Sequence, residues 1–428
     1  MEMQVSPAAQ QAMTALEHAG FSAWLVGGCV RDALRGVPPH DWDMATNAKP
    51  AQLLEVFQGW RVIETGIRHG TVTVLIDATP VEISTLRGET LAEDLARRDF
   101  SMNALAWNPV QGLADPYGGA ADLAAGRIRA VGSAEERFAE DPLRILRALR
   151  FSAKLGMEIE PDLEDALNHC REKLNLVSAE RIRSELEQLL CAPGAGDVLR
   201  RFREIAGVLI PELSPMFDFQ QRNSHHCFDL WEHALHTLEA APPEPVLRWA
   251  ALFHDLGKPR CFRLGADGQG HFYGHAELGA QMADRILERL RLSRAERERI
   301  VLLIRRHDAE LVCEEKSVRR ALSRLGGEAF FQLLSLKRAD ALAQGPDCTE
   351  RLAAYDALEG LAKQILASRP VLSRADLDVN GSDMLALGLK GPEIRDALDL
   401  LLEAVLSGKL RNERGALLAY LAGAAEKE

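Results

Sequence analysis

Asp41-Trp42-Asp43 sets two carboxylates two residues apart. On an extended segment alternate side chains share a side, so both acids are expected to point the same way. Two like charges so close call for a cation between them. Hard oxygen ligands of this kind suit Mg²⁺, which takes one or two carboxylates together with triphosphate oxygens rather than a closed protein cage. The chemistry that follows is transfer at a phosphate: in a two-metal arrangement one ion sharpens an attacking hydroxyl and the other neutralises the leaving pyrophosphate. Glu82, inside the strand-like run 81–86, is a candidate third carboxylate.

The elements that would hold this site flank it. Leu25-Val26-Gly27-Gly28-Cys29-Val30-Arg31-Asp32 runs from an apolar strand into a helix. Its two glycines would let backbone N–H groups approach a phosphate, with Arg31 one turn in. Strand signals cover 23–26, 72–76, 81–86 and 103–107, punctuated by Gly, Pro, Asp and Asn. From Glu135 onward apolar spacings of three and four, as in Leu143, Leu146, Ala148 and Phe151, predict successive amphipathic helices. The expected fold class is α+β: a mixed-sheet head followed by an all-helical remainder.

Glu140-Asp141, with Arg144, Arg147 and Arg150 beyond, suggests how side chains could choose a base. Asp141, Arg144 and Arg147 stand at helical i, i+3 and i+6 and are expected close to one face. Cytosine and adenine both present an amino donor beside a ring-nitrogen acceptor, so a carboxylate next to an arginine can match either. Uracil and guanine reverse that order, and a buried polar group left unpaired costs about 1 to 3 kcal/mol.

A second cluster lies downstream, because eight of the twelve histidines fall between His225 and His307. Pro211, Pro215, Pro242 and Pro243 punctuate the start of this segment and Gln344-Gly345-Pro346 its end. Trp231-Glu232-His233 is expected to begin one helix, residues 250–258 with His254-Asp255 to sit in another, and Lys337-Arg338-Ala339-Asp340 in a third. Adjacent His-Asp on an apolar helix is costly unless both are partnered, and a metal would satisfy both. Imidazole with carboxylate suits a divalent transition metal such as Ni²⁺, Mn²⁺, Fe²⁺ or Zn²⁺ without choosing among them.

The 428 residues, 47% hydrophobic and 27% charged, exclude disorder and a lone mini-domain and leave room for about three domains at roughly 150 residues each. With 63 acidic and 51 basic side chains the formal charge is -12, which argues against a protein that coats nucleic acid through bulk positive charge. Any RNA partner must meet a local basic face. The first Lys or Arg is Arg31, and no apolar run approaches the roughly 20 residues that cross a bilayer, so neither a signal peptide nor a membrane anchor is expected. Seven scattered cysteines without a CxxC pair are expected to be buried free thiols in a reduced cytoplasm.

The segments LVGGCVRDALRG (25–36) with Asp41-Trp42-Asp43, EDLARRDFSMNALAW (93–107), DPYGGAADLAAGRIRAVG (115–132) and EDPLRILRALRF (140–151) together resemble the tRNA nucleotidyltransferases that include bacterial CCA-adding enzymes and poly(A) polymerases. The resemblance implies a polymerase β-like head over 1–130, a helical neck over 131–210, an HD domain over 211–345 and a helical body and tail over 346–428. It implies that Asp41 and Asp43 hold Mg²⁺, that Gly27, Gly28, Arg31 and Arg98 contact the nucleotide, and that Asp141 and Arg144 form a protein template with Arg147 and Arg150 nearby. The order His233, His254-Asp255, Asp340 resembles HD-domain phosphohydrolases, where these positions hold a divalent cation; His275 and His307 would serve a second ion.

Between the run 81–86 and Glu93 this chain has only Arg87-Gly88-Glu89-Thr90-Leu91-Ala92. Complete CCA-adding relatives carry a longer flexible segment there, and its loss marks the CC-adding subgroup. The expected activity is therefore CMP addition from CTP to the tRNA acceptor arm. The alternatives are complete CCA addition with ATP as well, a standalone HD phosphohydrolase with an RNA-binding head, and a poly(A) polymerase. Neither DNA nor a membrane is an expected partner, and the sequence leaves the oligomeric state open. Arg181, Arg183, Arg200, Arg201, Arg203, Lys409, Arg411 and Arg414 are the candidate phosphate-contacting residues.

Overall fold

A computed structural model describes residues 3–222, 228–266, 268–345 and 348–425. His225, His226, Cys227 and Pro346 lie outside the described residues. The chain divides into two compact units, Met1–Leu209 and Ile210–Glu428.

The first unit is built on a seven-stranded mixed sheet. Its strands are β1 (Trp24–Val26), β2 (Trp42–Thr46), β3 (Arg61–Ile63), β4 (Thr71–Ile76), β5 (Thr79–Thr85), β6 (Ala106–Asn108) and β7 (Gly112–Ala114), in the order β3-β4-β5-β2-β1-β6-β7. The pair β2 and β5 is parallel, and the other neighbours are antiparallel. Strand β4 carries the alternation that one buried face requires: Val72, Val74 and Ile76 pack with Met44, Leu25 and Ile83 against the helix Pro7–His18, whose Ala9, Ala12, Met13 and Leu16 are buried. Pro7 at the first helical position and Ser6, accepting from the Ala9 N–H at 3.1 Å, start that helix.

The strand expected over 103–107 begins later, at Ala106. Ser101–Asn103 instead forms a 3₁₀ turn, because the Asn103 amide is held by Asp99. After the sheet come the helices Ala134–Glu140, Arg144–Leu155, Pro161–Cys170 and Ala179–Leu190. Gly156, at φ 65, closes the Arg144–Leu155 helix in the left-handed conformation glycine favours.

Among its described residues the second unit is helical apart from a two-stranded ribbon at Arg263–Leu264 and Gly270–His271. Its helices Leu230–Ala240, Pro245–Phe253, His275–Arg289, Arg294–Arg306 and Gly327–Gln344 bury Trp231, Trp249, Phe253, Ile286, Ile304 and Phe330. No described helix is long and apolar enough to cross a membrane. Among the described cysteines, Cys29, Cys170 and Cys348 are buried, but Cys191 and Cys261 are half-buried and Cys313 is exposed, so burial is not general. Burial pushes the Cys29 thiol up to about 11, consistent with an inert packing role.

Candidate functional site

In the head, Asp43 of β2 is the register partner of Glu82 of β5, and Asp41 stands one residue ahead of β2. Directly paired residues of neighbouring strands share a sheet face, so Asp43 and Glu82 face the same way. Asp43 is half-buried and its carboxyl is pushed up to about 6, first by burial and then by the Glu82 charge, with Asp41 adding to the effect; Arg98 and Arg31 oppose it. A cation would relieve the negative charge gathered around Asp43, and the all-oxygen donor set fits Mg²⁺.

Gly27 and Gly28 turn the chain from β1 into the helix Gly28–Leu34. Gly27 sits at φ 69, and a Cβ there would lie 2.8 Å from Arg98 Nη1, so glycine is needed both for the turn and for the approach of Arg98. Arg31 is buried, pairs with Asp32 at 2.9 Å and donates through Nη1 to Asn103 Oδ1 at 2.9 Å. Arg98 pairs with Asp94 at 3.2 Å and donates to the Asn103 carbonyl at 3.4 Å. The structure therefore gathers Gly27, Gly28, Arg31 and Arg98 around Asn103, a residue that sequence reasoning passed over.

The residues expected to choose the base are arranged differently from that expectation. Asp141 lies outside the helix: it caps Ala134–Glu140 in an extended conformation, φ -149 and ψ 99, and the next helix starts at Arg144. Pro142 is the physical reason, since the residue before a proline is pushed out of the helical region. The Asp141 carboxylate accepts from Arg181 side-on, Oδ2 to Nη2 at 2.8 Å and Oδ1 to Nη1 at 3.2 Å, rather than from Arg144. Arg144 is held by Glu140 at 2.9 Å and by the carbonyl of Arg97 at 2.9 Å.

Arg147 and Arg150, expected near the base, have their charges met by carboxylates. Arg147 pairs with Asp99 at 2.8 Å, and Arg150 Nε donates to Glu185 Oε2 at 2.5 Å. Burial works against ionised Asp99, but Arg147 beside it and the Asn103 amide hold its carboxyl below the usual range. Burial also lowers Arg150, with Glu185 opposing, although a guanidinium stays charged throughout. Glu185 was not among the expected residues, because nothing local marks a glutamate whose partner lies 35 residues away.

In the second unit, His254 and Asp255 lie in the turn after the helix Pro245–Phe253, not within a helix as expected. A turn lets two successive side chains point inward, which a helix, with neighbours about 100° apart, does not. A Cβ on Gly257 would fall 2.3 Å from the His275 carbonyl, so glycine lets this turn seat against the start of the helix His275–Arg289. His233, His254, Asp255, His275 and His307 are all buried.

Two triads result. His233, His254 and Asp340 form one and Asp255, His275 and His307 the other, each with its donor atoms within 4.8 Å of one another. Asp255 touches both: Oδ2 lies 3.1 Å from His254 Nε2, and Oδ1 lies 3.4 Å from His275 Nε2. His275 and His307 donate Nδ1–H to the carbonyls of Phe272 and Ile304 at 2.8 and 2.7 Å. With Nδ1 as the donor, the two Nε2 atoms face each other across 3.3 Å as candidate ligand atoms, the tautomer that a metal ion would require. The ligand set of imidazoles and carboxylates fits a divalent transition metal.

Of the candidate RNA-contacting arginines, Arg200 pairs with Asp197, Arg201 with Glu164, Arg203 with Glu204 and Arg414 with Asp383, while Arg181 is taken up by Asp141.

Comparison with known proteins matches residues 23–129 to the poly A polymerase head domain, 156–217 to the "Probable RNA and SrmB-binding site of polymerase A" and 224–343 to the HD domain. The fold and the two clusters thus define a nucleotidyltransferase joined to an HD domain. The chain is 35% identical over 424 residues to the A-adding tRNA nucleotidyltransferase of Deinococcus radiodurans, covering 91% of this chain and 92% of that one. It is also 35% identical over 426 residues to the CC-adding tRNA nucleotidyltransferase of Thermus thermophilus, covering 95% of each. The crystal structure of the Bacillus stearothermophilus CCA-adding enzyme in complex with CTP matches with TM-score 0.75 at 28% identity over 99% of both chains. The chain belongs to the class II tRNA nucleotidyltransferases, the CCA-adding enzyme family, in the form that carries an HD domain.

Proposed function

We propose that this tRNA nucleotidyltransferase adds CMP from CTP to the tRNA 3′ end and stops at CC. In this reaction the terminal 3′-hydroxyl attacks the α-phosphate and pyrophosphate leaves. Asp41 and Asp43, with Glu82 alongside, would hold Mg²⁺, which would supply acidity to the hydroxyl and charge neutralisation to the triphosphate. Arg31 and Arg98, beside the Gly27-Gly28 turn, bind the triphosphate. Asp141 accepts the amino group of the base and Arg144 donates to its ring nitrogen, while Arg147 and Arg150 hold the helix through Asp99 and Glu185. The division into head 1–130, neck 131–210, HD domain 211–345 and body with tail 346–428 is part of the same reading.

The observation that carries CC-only addition is the connection from β5 to the helix Leu91–Ala96, which is five residues long, 86–90. It is pinned at several points: the Leu86 N–H donates to the Thr46 carbonyl at 2.8 Å, the Arg87 N–H to Asp94 at 3.0 Å, and Thr90 and Glu93 form a reciprocal capping box. No slack remains to rearrange the template between cytosine and adenine. The relatives span A-, CC- and CCA-adding activities, so complete CCA addition is the competing reading. Reacting a tRNA that lacks its 3′ end with CTP and ATP together, then sequencing the products, tests this. Products ending in CC are expected, and efficient adenylation of a transcript already ending in CC would refute it.

The HD cluster supports a second activity, metal-dependent phosphoester hydrolysis. His233, His254, Asp255 and Asp340, with His275 and His307, would hold a divalent ion, which would supply a nucleophile at neutral pH and positive charge for the phosphoryl oxygens. His254→Ala and Asp255→Ala are expected to lose phosphatase activity with CMP addition retained, and a wild-type protein inactive across several metals would end this reading.

A further inference from the structure

The helix Ala179–Leu190 carries two charged residues one turn apart that both reach the base-reading segment. Arg181 grips Asp141, and Glu185 grips Arg147 and Arg150. Residues at i and i+4 share a helix face, so one face of this helix fixes both the turn bearing Asp141 and the helix that follows it.

The bonding at Asp141 leaves a defined opening. A carboxylate offers about four acceptor positions, two on each oxygen. Oδ1 accepts from Arg181 Nη1 at 3.2 Å and from the Leu143 N–H at 3.2 Å, which fills it. Oδ2 accepts from Arg181 Nη2 at 2.8 Å, leaving one position for an incoming donor. A planar guanidinium bound side-on also fixes the plane of the carboxylate, which a lysine, as a point charge, does not.

We propose that Arg181 is a positioning residue for base selection: by holding Asp141 side-on it presents a single oriented Oδ2 acceptor that an exocyclic amino group satisfies and a uracil carbonyl does not. The inference rests on the base-reading role proposed above for Asp141. It moves Arg181 from a candidate tRNA contact to the nucleotide site. Arg181 need not touch the nucleotide, since it acts through the carboxylate it orients. A free carboxylate rotates, and a rotating acceptor discriminates less between a donor and an acceptor opposite it.

The test compares CTP and UTP incorporation, as kcat/KM, into a tRNA lacking its 3′ end, using the full chain. The proteins are wild type, Arg181→Met, Arg181→Lys, Asp141→Ala and the Arg181→Met/Asp141→Ala double variant, with thermal melts run in parallel. Arg181→Met is expected to lower the CTP-over-UTP ratio about five- to tenfold, the scale of one net hydrogen bond. Arg181→Lys should fall between it and wild type, and the double variant should discriminate no worse than Asp141→Ala alone. If Arg181→Met does not fold, the partial loss in Arg181→Lys carries the test. A purely structural arginine would lower melting temperature or overall rate with the ratio untouched. A wild-type ratio in the folded arginine variants, with the ratio lost in Asp141→Ala, overturns the inference alone. A wild-type ratio in Asp141→Ala overturns the base-reading role and this inference with it.

Discussion

Asp43 and Glu82 are register partners on the parallel strands β2 and β5, and their pairing concentrates negative charge on one sheet face. The Asp43 carboxyl, pushed from 3.8 up to about 6, holds its proton more tightly folded than unfolded. The stability tied to that proton is full below about 3.8 and is lost as pH rises through about 6. In EDTA, Asp43→Asn should therefore melt higher than wild type, by a margin that grows between those values and is flat above them. Mg²⁺ should stabilise wild type and leave Asp43→Asn unmoved, while CMP incorporation falls about a hundredfold or more in the variant. Equal melting temperatures at pH 8 in EDTA would contradict the charge crowding.

Asn103 joins three charged residues at one buried point. Its amide donates to Asp99 at 3.0 Å, its side-chain oxygen accepts from Arg31 at 2.9 Å, and its carbonyl accepts from Arg98. Asp99 in turn holds Arg147, so the chain of bonds runs from the glycine turn to the helix Arg144–Leu155. Asn103→Asp keeps the shape but replaces a donor by a second carboxylate against Asp99. Loss of one buried hydrogen bond is worth about 1 to 3 kcal/mol, so KM for CTP should rise about tenfold. Steady-state kinetics showing an unchanged KM would remove Asn103 from the site.

The parts of this site that are local were legible in the sequence. The Gly27-Gly28 pair marked a turn and the spacing of Leu143, Leu146 and Phe151 found the helix Arg144–Leu155, but β2, the strand that carries Asp43, was not among the strand signals. Asp141 was misplaced onto that helix although Pro142 stood beside it as the signal. Glu82 was read as a candidate only, since its alignment with Asp43 is set by a pairing between residues 39 apart in the chain, with β3 and β4 between them. Arg181 and Glu185 went unassigned to the site for the same reason: their partners are 40 and 35 residues away, as Arg31 is 72 from Asn103, and pairing at that range leaves no local pattern.

The paired arginines change the expectation for tRNA binding. Arg201 is bound by Glu164 and Arg414 by Asp383, whereas Arg411 is 87% exposed and only 4.0 Å, at the limit of an ion pair, from Glu413. Exposed basic residues that meet phosphates release counterions, and each lost contact lowers the salt slope by about 1. Lys409→Ala and Arg411→Ala should therefore each flatten the plot of log affinity against log salt, while Arg201→Ala should leave its slope unchanged. A slope that is flat in wild type would contradict a phosphate-driven interaction altogether.

Asp255 is shared by the two triads, which makes their metal contents unequal in their sensitivity to mutation. Its Oδ2 faces His233 and His254 at 3.5 and 3.1 Å, and its Oδ1 faces His275 and His307 at 3.4 and 3.6 Å. The wild-type chain should carry two divalent ions after dialysis against a transition metal, His275→Ala one, and Asp255→Ala neither. Lys258 complicates the last variant, since its ammonium lies 2.6 Å from Asp255 Oδ2 and would be left buried without its anion. Asp255→Asn, which keeps the side-chain shape, serves as the second variant and should also lose both ions. Elemental analysis of the folded proteins, with CMP incorporation as the check that the head is intact, decides the matter: one ion retained in Asp255→Asn would mean that the carboxylate does not bridge the triads.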